Sequence, residues 1–240
     1  MSHVKLLYAL LTIWAALLIL GFVFGKLDQE RINRIPRASK ILSSLILVIC
    51  ALIWWRAGAT GTPLAAYAAL IFFGMAFSFL GDLIMAQLLP LPQYVLFGMG
   101  AFGVAQVLYI SGYLRLGGVL GLQDGRARVI GLAVLLVLAV VLWWVLIRSP
   151  QTDAMLNYGS LGYALLLAAM VGLAVSLALQ ESRFAPLALG AVLFLISDTF
   201  LGHRLFQGGQ FLLVGDLVWA TYIVGQLLIV FSTAAGLQML

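Results

Sequence analysis

Along this chain the apolar residues do not alternate with polar ones. They run together in stretches of about twenty residues, interrupted by short clusters of Pro, Gly and charge. Alternation in segments of roughly ten residues would mark the strands of a transmembrane barrel, and none is visible. The breaks predict eight helices, over residues 6–25, 40–57, 64–88, 93–114, 128–147, 156–179, 184–202 and 211–235. The connectors "RAGATGTP" (56–63), "LLPLPQ" (88–93), "GGVLGLQDGRAR" (117–128), "RSPQTD" (148–153) and "QESRFAP" (180–186) are each too short to hold a further domain. Pro90 and Pro92 make the second of these a tight helical hairpin, because helix is disfavoured at and just before proline. The expected architecture is all-α: one domain over residues 1–240, a polytopic membrane bundle of about eight transmembrane helices.

Composition removes the soluble alternative. Hydrophobic residues make up 64% and charged residues 9% of the 240, with a mean hydropathy of +1.15, and too little charge is left to coat a water-soluble core. The first stretch, after Lys5, is longer than the apolar region of a secretory signal and lacks a small-x-small cleavage site, so it reads as the first span. Cys50 is a single cysteine inside an apolar run and reads as a small buried hydrophobe. The net charge of +5 flanks the spans, as anionic headgroups and membrane topology select, and carries no signature of nucleic-acid binding. Lys and Arg divide six against seven between the two sides, which leaves orientation open, although "GKLDQERINRIPRASK" (25–40) pulls the first loop toward the cytoplasm. The glycines of "GMGAFG" (98–103) are expected to let helices approach closely.

Two residues break the apolar pattern. Asp82 lies in "FSFLGDLIMA" (77–86) and Asp198 in "FLISDTFL" (194–201), and an ionised aspartate at the bilayer centre costs roughly 2.5–3.5 kcal/mol on insertion scales. Both fall in the C-terminal halves of spans that run in the same direction, each with a glycine eight residues earlier, Gly74 and Gly190, which suggests a four-plus-four repeat. A structural reading would hydrogen-bond each carboxyl between helices or pair it with Lys40 or Arg204. If instead they share a pocket, one carboxyl stays protonated beside an ionised one, an acid and a base suited to an oxocarbenium-like transition state or to a proton-coupled transporter. Other chemistry lacks material: His3 and His203 are the only histidines, and Ser43, Ser44, Ser78 and Ser197 have no nucleophile-elbow context. Gln106, Tyr109, Tyr163, Tyr222 and Gln226 are polar positions within spans, suited to interhelical bonds or to lining a polar cavity.

"FSFLGDLIMA", "FGMGAFGVAQVLYI" (97–110), "LGAVLFLISDTFLGHRLF" (189–206) and "TYIVGQLLIVFS" (221–232) together resemble the YhhN-like lysoplasmalogenase family of eight-span membrane enzymes. "SKILSSLIL" (39–47), with Lys40 before an apolar helix, and "YALLLAAMV" (163–171) fit the same pattern. The resemblance implies hydrolysis of the vinyl ether bond of lysoplasmalogens to a fatty aldehyde and a glycerophospho-alcohol, with no metal or organic cofactor. It implies Asp82 and Asp198 as the catalytic pair and Lys40, Gln106, Tyr109, Ser197, Tyr222 and Gln226 as substrate-binding residues. The partners it implies are a lysophospholipid substrate and membrane lipids, with no nucleic acid and no inferable protein partner, in a bacterial inner membrane. Phe72, Phe73, Phe77 and Phe79 are expected around the chain, and Lys40 or Arg204 at the phosphate. One departure stands out: relatives often carry histidine where this chain has Gln106. A proton-coupled transporter or lipid flippase, or a non-catalytic lipid-binding protein, are the alternatives from other classes.

Overall fold

The computed structural model describes residues 3–240. Eight helices, each long and apolar enough to cross a membrane, follow in chain order: α1 (His3–Phe24), α2 (Arg37–Ile53, continued by a π-helical turn to Ala59), α3 (Ala65–Met85), α4 (Tyr94–Leu120), α5 (Gly125–Leu142, continued by a π turn to Ile147), α6 (Ala154–Gln180), α7 (Ala185–Gln207) and α8 (Val214–Leu237). The chain is an all-helical, multi-pass integral membrane protein, as its hydropathy pattern predicts.

The ends that differ from the sequence reading have local causes. α3 stops at Met85 rather than Leu88 because Gln87 takes a left-handed backbone (φ 54°) and Pro90 pushes the residue before it out of helix. α4 runs on to Leu120 and closes at Gly121, whose left-handed φ of 72° ends a helix without a Cβ penalty. α5 begins at Gly125, ahead of the predicted 128, because the Asp124 carboxylate caps the Arg126 N–H at 2.9 Å. Asp153 caps α6 in the same way. Both π turns start at a Trp-Trp pair, Trp54–Trp55 and Trp143–Trp144, and each closes with a five-residue bond, Thr60 N–H to Trp55 O and Arg148 N–H to Trp143 O. The second indole of each pair, half-buried at Trp55 and exposed at Trp144, lies beside an arginine, Arg56 over Trp55 and Arg148 over Trp144, as at a membrane interface.

The helices form a closed ring, α2–α3–α4–α6–α7–α8, with α8 returning to α2. α1 packs outside α2 and α5 outside α6. Two glycine pairs draw neighbours into backbone contact: a Cβ on Gly131 of α5 would lie 2.5 Å from the Gly172 carbonyl oxygen of α6, and one on Gly190 of α7 would lie 2.7 Å from that of Gly225 of α8. The expected close approach at "GMGAFG" is confined to Gly98, which faces Met85; Gly100 has open space beside it. Nor do the two glycines of the suggested repeat play one part. Gly74 makes room for the Tyr109 ring, whereas Gly190 meets backbone.

Candidate functional site

All connections α1–α2, α3–α4, α5–α6 and α7–α8 lie on one side of an up-and-down bundle, and there the ring opens into a cavity of about 660 Å³. Asp82 and Asp198 both line it, so the two helices bring both carboxyls to one space. The residue preceding each aspartate explains its local fold. At Gly81 a Cβ would stand 2.7 Å from the Phe102 ring, so the glycine lets Phe102 lie against α3 beside the carboxylate. Ser197 instead donates to the Val218 carbonyl at 2.9 Å and ties α7 to α8. Phe102, Phe194 and Tyr222 meet edge to face, with centroids 5.2 to 6.2 Å apart, and form an aromatic cluster next to the two carboxyls.

The two carboxyls are held differently. Asp82, 5% exposed, accepts from the Ser44 hydroxyl at 2.5 Å and from the Tyr222 hydroxyl at 3.0 Å, both on Oδ2, which leaves Oδ1 free. Asp198 is half-buried and accepts from the Tyr163 hydroxyl alone. It also lines a second, narrow space of about 70 Å³ between α4, α5, α6 and α7, walled by Val95, Met99, Leu142, Trp143 and Leu167 among others. Met85, Phe102, Asp198, Leu201 and Leu205 belong to both spaces. Asp198 therefore stands where a polar vestibule passes into an apolar channel.

Neither aspartate pairs with Lys40 or Arg204. Lys40 is bound to a third carboxyl, Asp216 at the start of α8, at 3.0 Å, and also donates to Asn33 Oδ1 at 2.7 Å and the Gly215 carbonyl at 3.2 Å. Asp216, 4% exposed, further accepts the Arg34 and Ile35 backbone N–H groups. Asn33 in turn donates to Asp28. Desolvation raises the proton affinity of Asp28, but the bonds from Asn33 and the Ile32 N–H outweigh it and hold its carboxyl below the usual range. Loop 25–36 is thus strapped to α8 over the vestibule. Arg34 is spent on the same strap, donating to the Gly25 and Val23 carbonyls. Lys26, Arg37 and Arg204, which also line the vestibule, have no salt bridge or side-chain hydrogen bond among the described residues.

The remaining expected site residues divide. Ser197 and Tyr222 line the vestibule. Tyr109 and Gln226 bond each other at 2.8 Å in the sealed core and line neither space. Gln106 is fully buried, reaches neither carboxyl, and lies beside Tyr163 with both amide atoms unpartnered. Phe72 stacks on Trp55 and Phe73 lies tilted against it, and Phe77 and Phe79 are also absent from the channel wall, which Phe102 and Met99 line instead. Sequence reading passed over Asp216 and the bonds of Ser44 and Tyr163. The first had a signal, since "GDL" occurs at both 81–83 and 215–217.

The model of the YhhN family matches residues 36–233. The chain belongs to the YhhN family. The matched stretch of this YhhN protein contains the six-helix ring except the last turn of α8, with both aspartates and their three hydroxyl donors, while α1 and most of the strapped loop lie outside it. No curated protein and no solved structure matches the chain.

Proposed function

We propose that this YhhN protein hydrolyses the vinyl ether bond of lysoplasmalogens, releasing a fatty aldehyde and a glycerophospho-alcohol. The observation that carries the reading is the position of Asp198, between a vestibule with unpaired cations and an apolar channel, with Asp82 on the vestibule side alone. A single-chain amphiphile fits that division, its phosphate toward Arg37, Arg204 and Lys26 and its chain in the channel.

Vinyl ethers are cleaved by protonation at the β-carbon, the carbon on the chain side. Asp198, at the channel mouth, is suited to give that proton, generating an oxocarbenium ion at the α-carbon. Asp82, receiving two hydroxyl donors on one oxygen, is suited to remain the carboxylate that stabilises this cation and takes a proton from the attacking water. The resulting hemiacetal collapses as its hydroxyl proton returns to Asp198 and Asp82 protonates the departing glycerol oxygen. Both carboxyls end as they began.

Incubation of purified protein with lysoplasmenyl-ethanolamine in D2O tests this. The expected product is aldehyde with one deuterium on the carbon next to the carbonyl. Ester lysophospholipids and saturated ether lysolipids are expected to bind competitively without cleavage, and fatty acid release from the ester at a comparable rate would defeat the mechanism. A second reading, a proton-coupled transporter, is favoured by the polar side chains that continue from Asp82 into the core: Tyr222, Gln226 beside it, and Tyr109. It predicts pH-dependent accumulation of lysolipid in sealed vesicles with no chemical change.

A further inference from the structure

The narrow channel beside Asp198 ends against a seam between α5 and α7. On the far side of that seam lies an outward-facing apolar groove of about 680 Å³, running from Leu135 and Val192 to Phe211. Leu142, Leu195 and Thr199 line both the inner channel and the outer groove, so a single layer of side chains separates the site from the hydrocarbon of the bilayer. The vestibule and the inner channel, by contrast, share residues of the ring helices α3, α4 and α7 only, so the wall that reaches a peripheral helix is the one toward the groove. The vestibule, by comparison, is roofed by the strapped loop and lined by charge.

The seam is fastened at one end only. α7 meets the π turn that ends α5, where a Cβ on Gly202 would lie 3.1 Å from Ile147. The terminal carbonyls of α5, left without helical partners, are taken by α7: His203 Nδ1 donates to Leu146 O at 2.9 Å, and the Gln207 amide donates to Arg148 O. Below this latch the groove opens between the helices. α5 is bound along its length to α6, through Gly131 and Gly172, and not to α7.

We propose that the α5–α7 seam is a lateral gate through which the aliphatic chain of a single-chain lysolipid passes between bilayer and site, with Leu142, Leu195 and Thr199 as its lips. The hydrolase reading supplies the identity of the occupant, and the continuity from Asp198 to the groove supplies the path. A channel of about 70 Å³ between spaces roughly tenfold larger must widen to admit a chain, and parting of this seam widens it.

The test uses a saturated ether lysophospholipid carrying a diazirine at mid-chain, which is not cleaved and so reports the path whether or not the protein is a hydrolase. After photolysis in proteoliposomes, adducts are expected to concentrate on residues 135–146 and 192–203 and to disappear with excess unlabelled lysolipid. A diacyl lipid bearing the same diazirine is expected to label all lipid-facing helices alike. Lysolipid adducts centred on α1 or α3, or spread evenly as for the diacyl lipid, would overturn the gate. A second arm places cysteines at Leu138 and Ile196, which line the outer groove only, in a Cys50→Ala background, and bridges them with a flexible bis-thiol reagent. Relative to the unbridged protein, turnover of a long-chain vinyl ether lysolipid is expected to fall at least tenfold while that of a four-carbon alkenyl analogue is kept. Equal loss of both, or of neither, counts against the gate. Seam labelling in a protein that cleaves no vinyl ether would leave the path standing and remove the hydrolase.

Discussion

Asp82 and Asp198 arise from similar runs of sequence, on helices that point the same way, yet their surroundings differ in kind. Asp82 is enclosed, with hydroxyls from α2 and α8 converging on one oxygen, and it sees only the vestibule. Asp198 is half-buried, keeps one donor, from α6, and sees both polar and apolar space. An acidic residue in an apolar helix therefore says that a carboxyl has work at that depth, while its partners from distant helices say which work. On the proposed hydrolase reading, the difference gives proton donation to the open carboxyl and charge stabilisation to the enclosed one.

The largest expected effect tests that assignment directly. Asp198→Asn and Asp82→Asn should each lower aldehyde release by roughly 10²–10⁴, with Asp198→Asn at the severe end because no other acid faces the channel. Thermal melting in detergent should change little or rise, since a neutral amide is cheaper to bury than a carboxylate, and the double variant should be little worse than the worse single one. Near-parental rates in folded variants would make both aspartates structural. Tyr163→Phe comes next. It removes the one donor on Asp198, and at about 1.5–3 kcal/mol for a hydrogen bond to a charged group it should cost roughly 10–100-fold in kcat. Ser44→Ala or Tyr222→Phe, each leaving Asp82 one donor, should cost less than that; the reverse order would invert the comparison.

A smaller effect separates two cations that line the same vestibule. Arg204→Met should raise KM for the lysolipid with melting temperature unchanged, because Arg204 has no salt bridge or side-chain hydrogen bond among the described residues. Lys40→Met should mainly lower the melting temperature, because it leaves the buried Asp216 without its cation. Equal shifts in KM would place Lys40 at the phosphate after all. The smallest change is expected at Gln106. Gln106→Leu should lower activity a few-fold through loss of support behind Tyr163 while stability rises, since two unpartnered buried amide atoms disappear. Gln106→His should hold or raise activity. Unchanged kinetics in Gln106→Leu would detach this position from the site.

The spans, and the two carboxyls within them, were legible because hydropathy over about twenty residues is a local property of the chain. What escaped was set by contacts between distant segments. The partner of Lys40 lies in α8, and nothing near residue 40 announces it. Tyr109 and Gln226 look like Tyr222 in sequence, a polar group in an apolar run, but the ring of helices turns the first two to the core and the last to the cavity. The phenylalanines before Asp82 failed as a chain-binding wall for the same reason: which face of α3 meets the site depends on how α3 packs against α4. Peripheral placement of α1 and α5, by contrast, left a local trace that the reading passed over: they are the two most apolar of the eight spans, as helices with more of their surface in lipid should be.

The bond between Asp82 and Tyr222 spans 140 residues, and that separation is also an interval of time. At about 5–20 residues per second of synthesis, α3 carries its carboxyl into the membrane roughly 7–28 s before α8 exists to meet it. Ser44, only 38 residues earlier, is already in place when Asp82 arrives. The serine is thus the companion under which the nascent bundle first tolerates a carboxyl in lipid, and the tyrosine is the late arrival that turns a tolerated residue into a finished site.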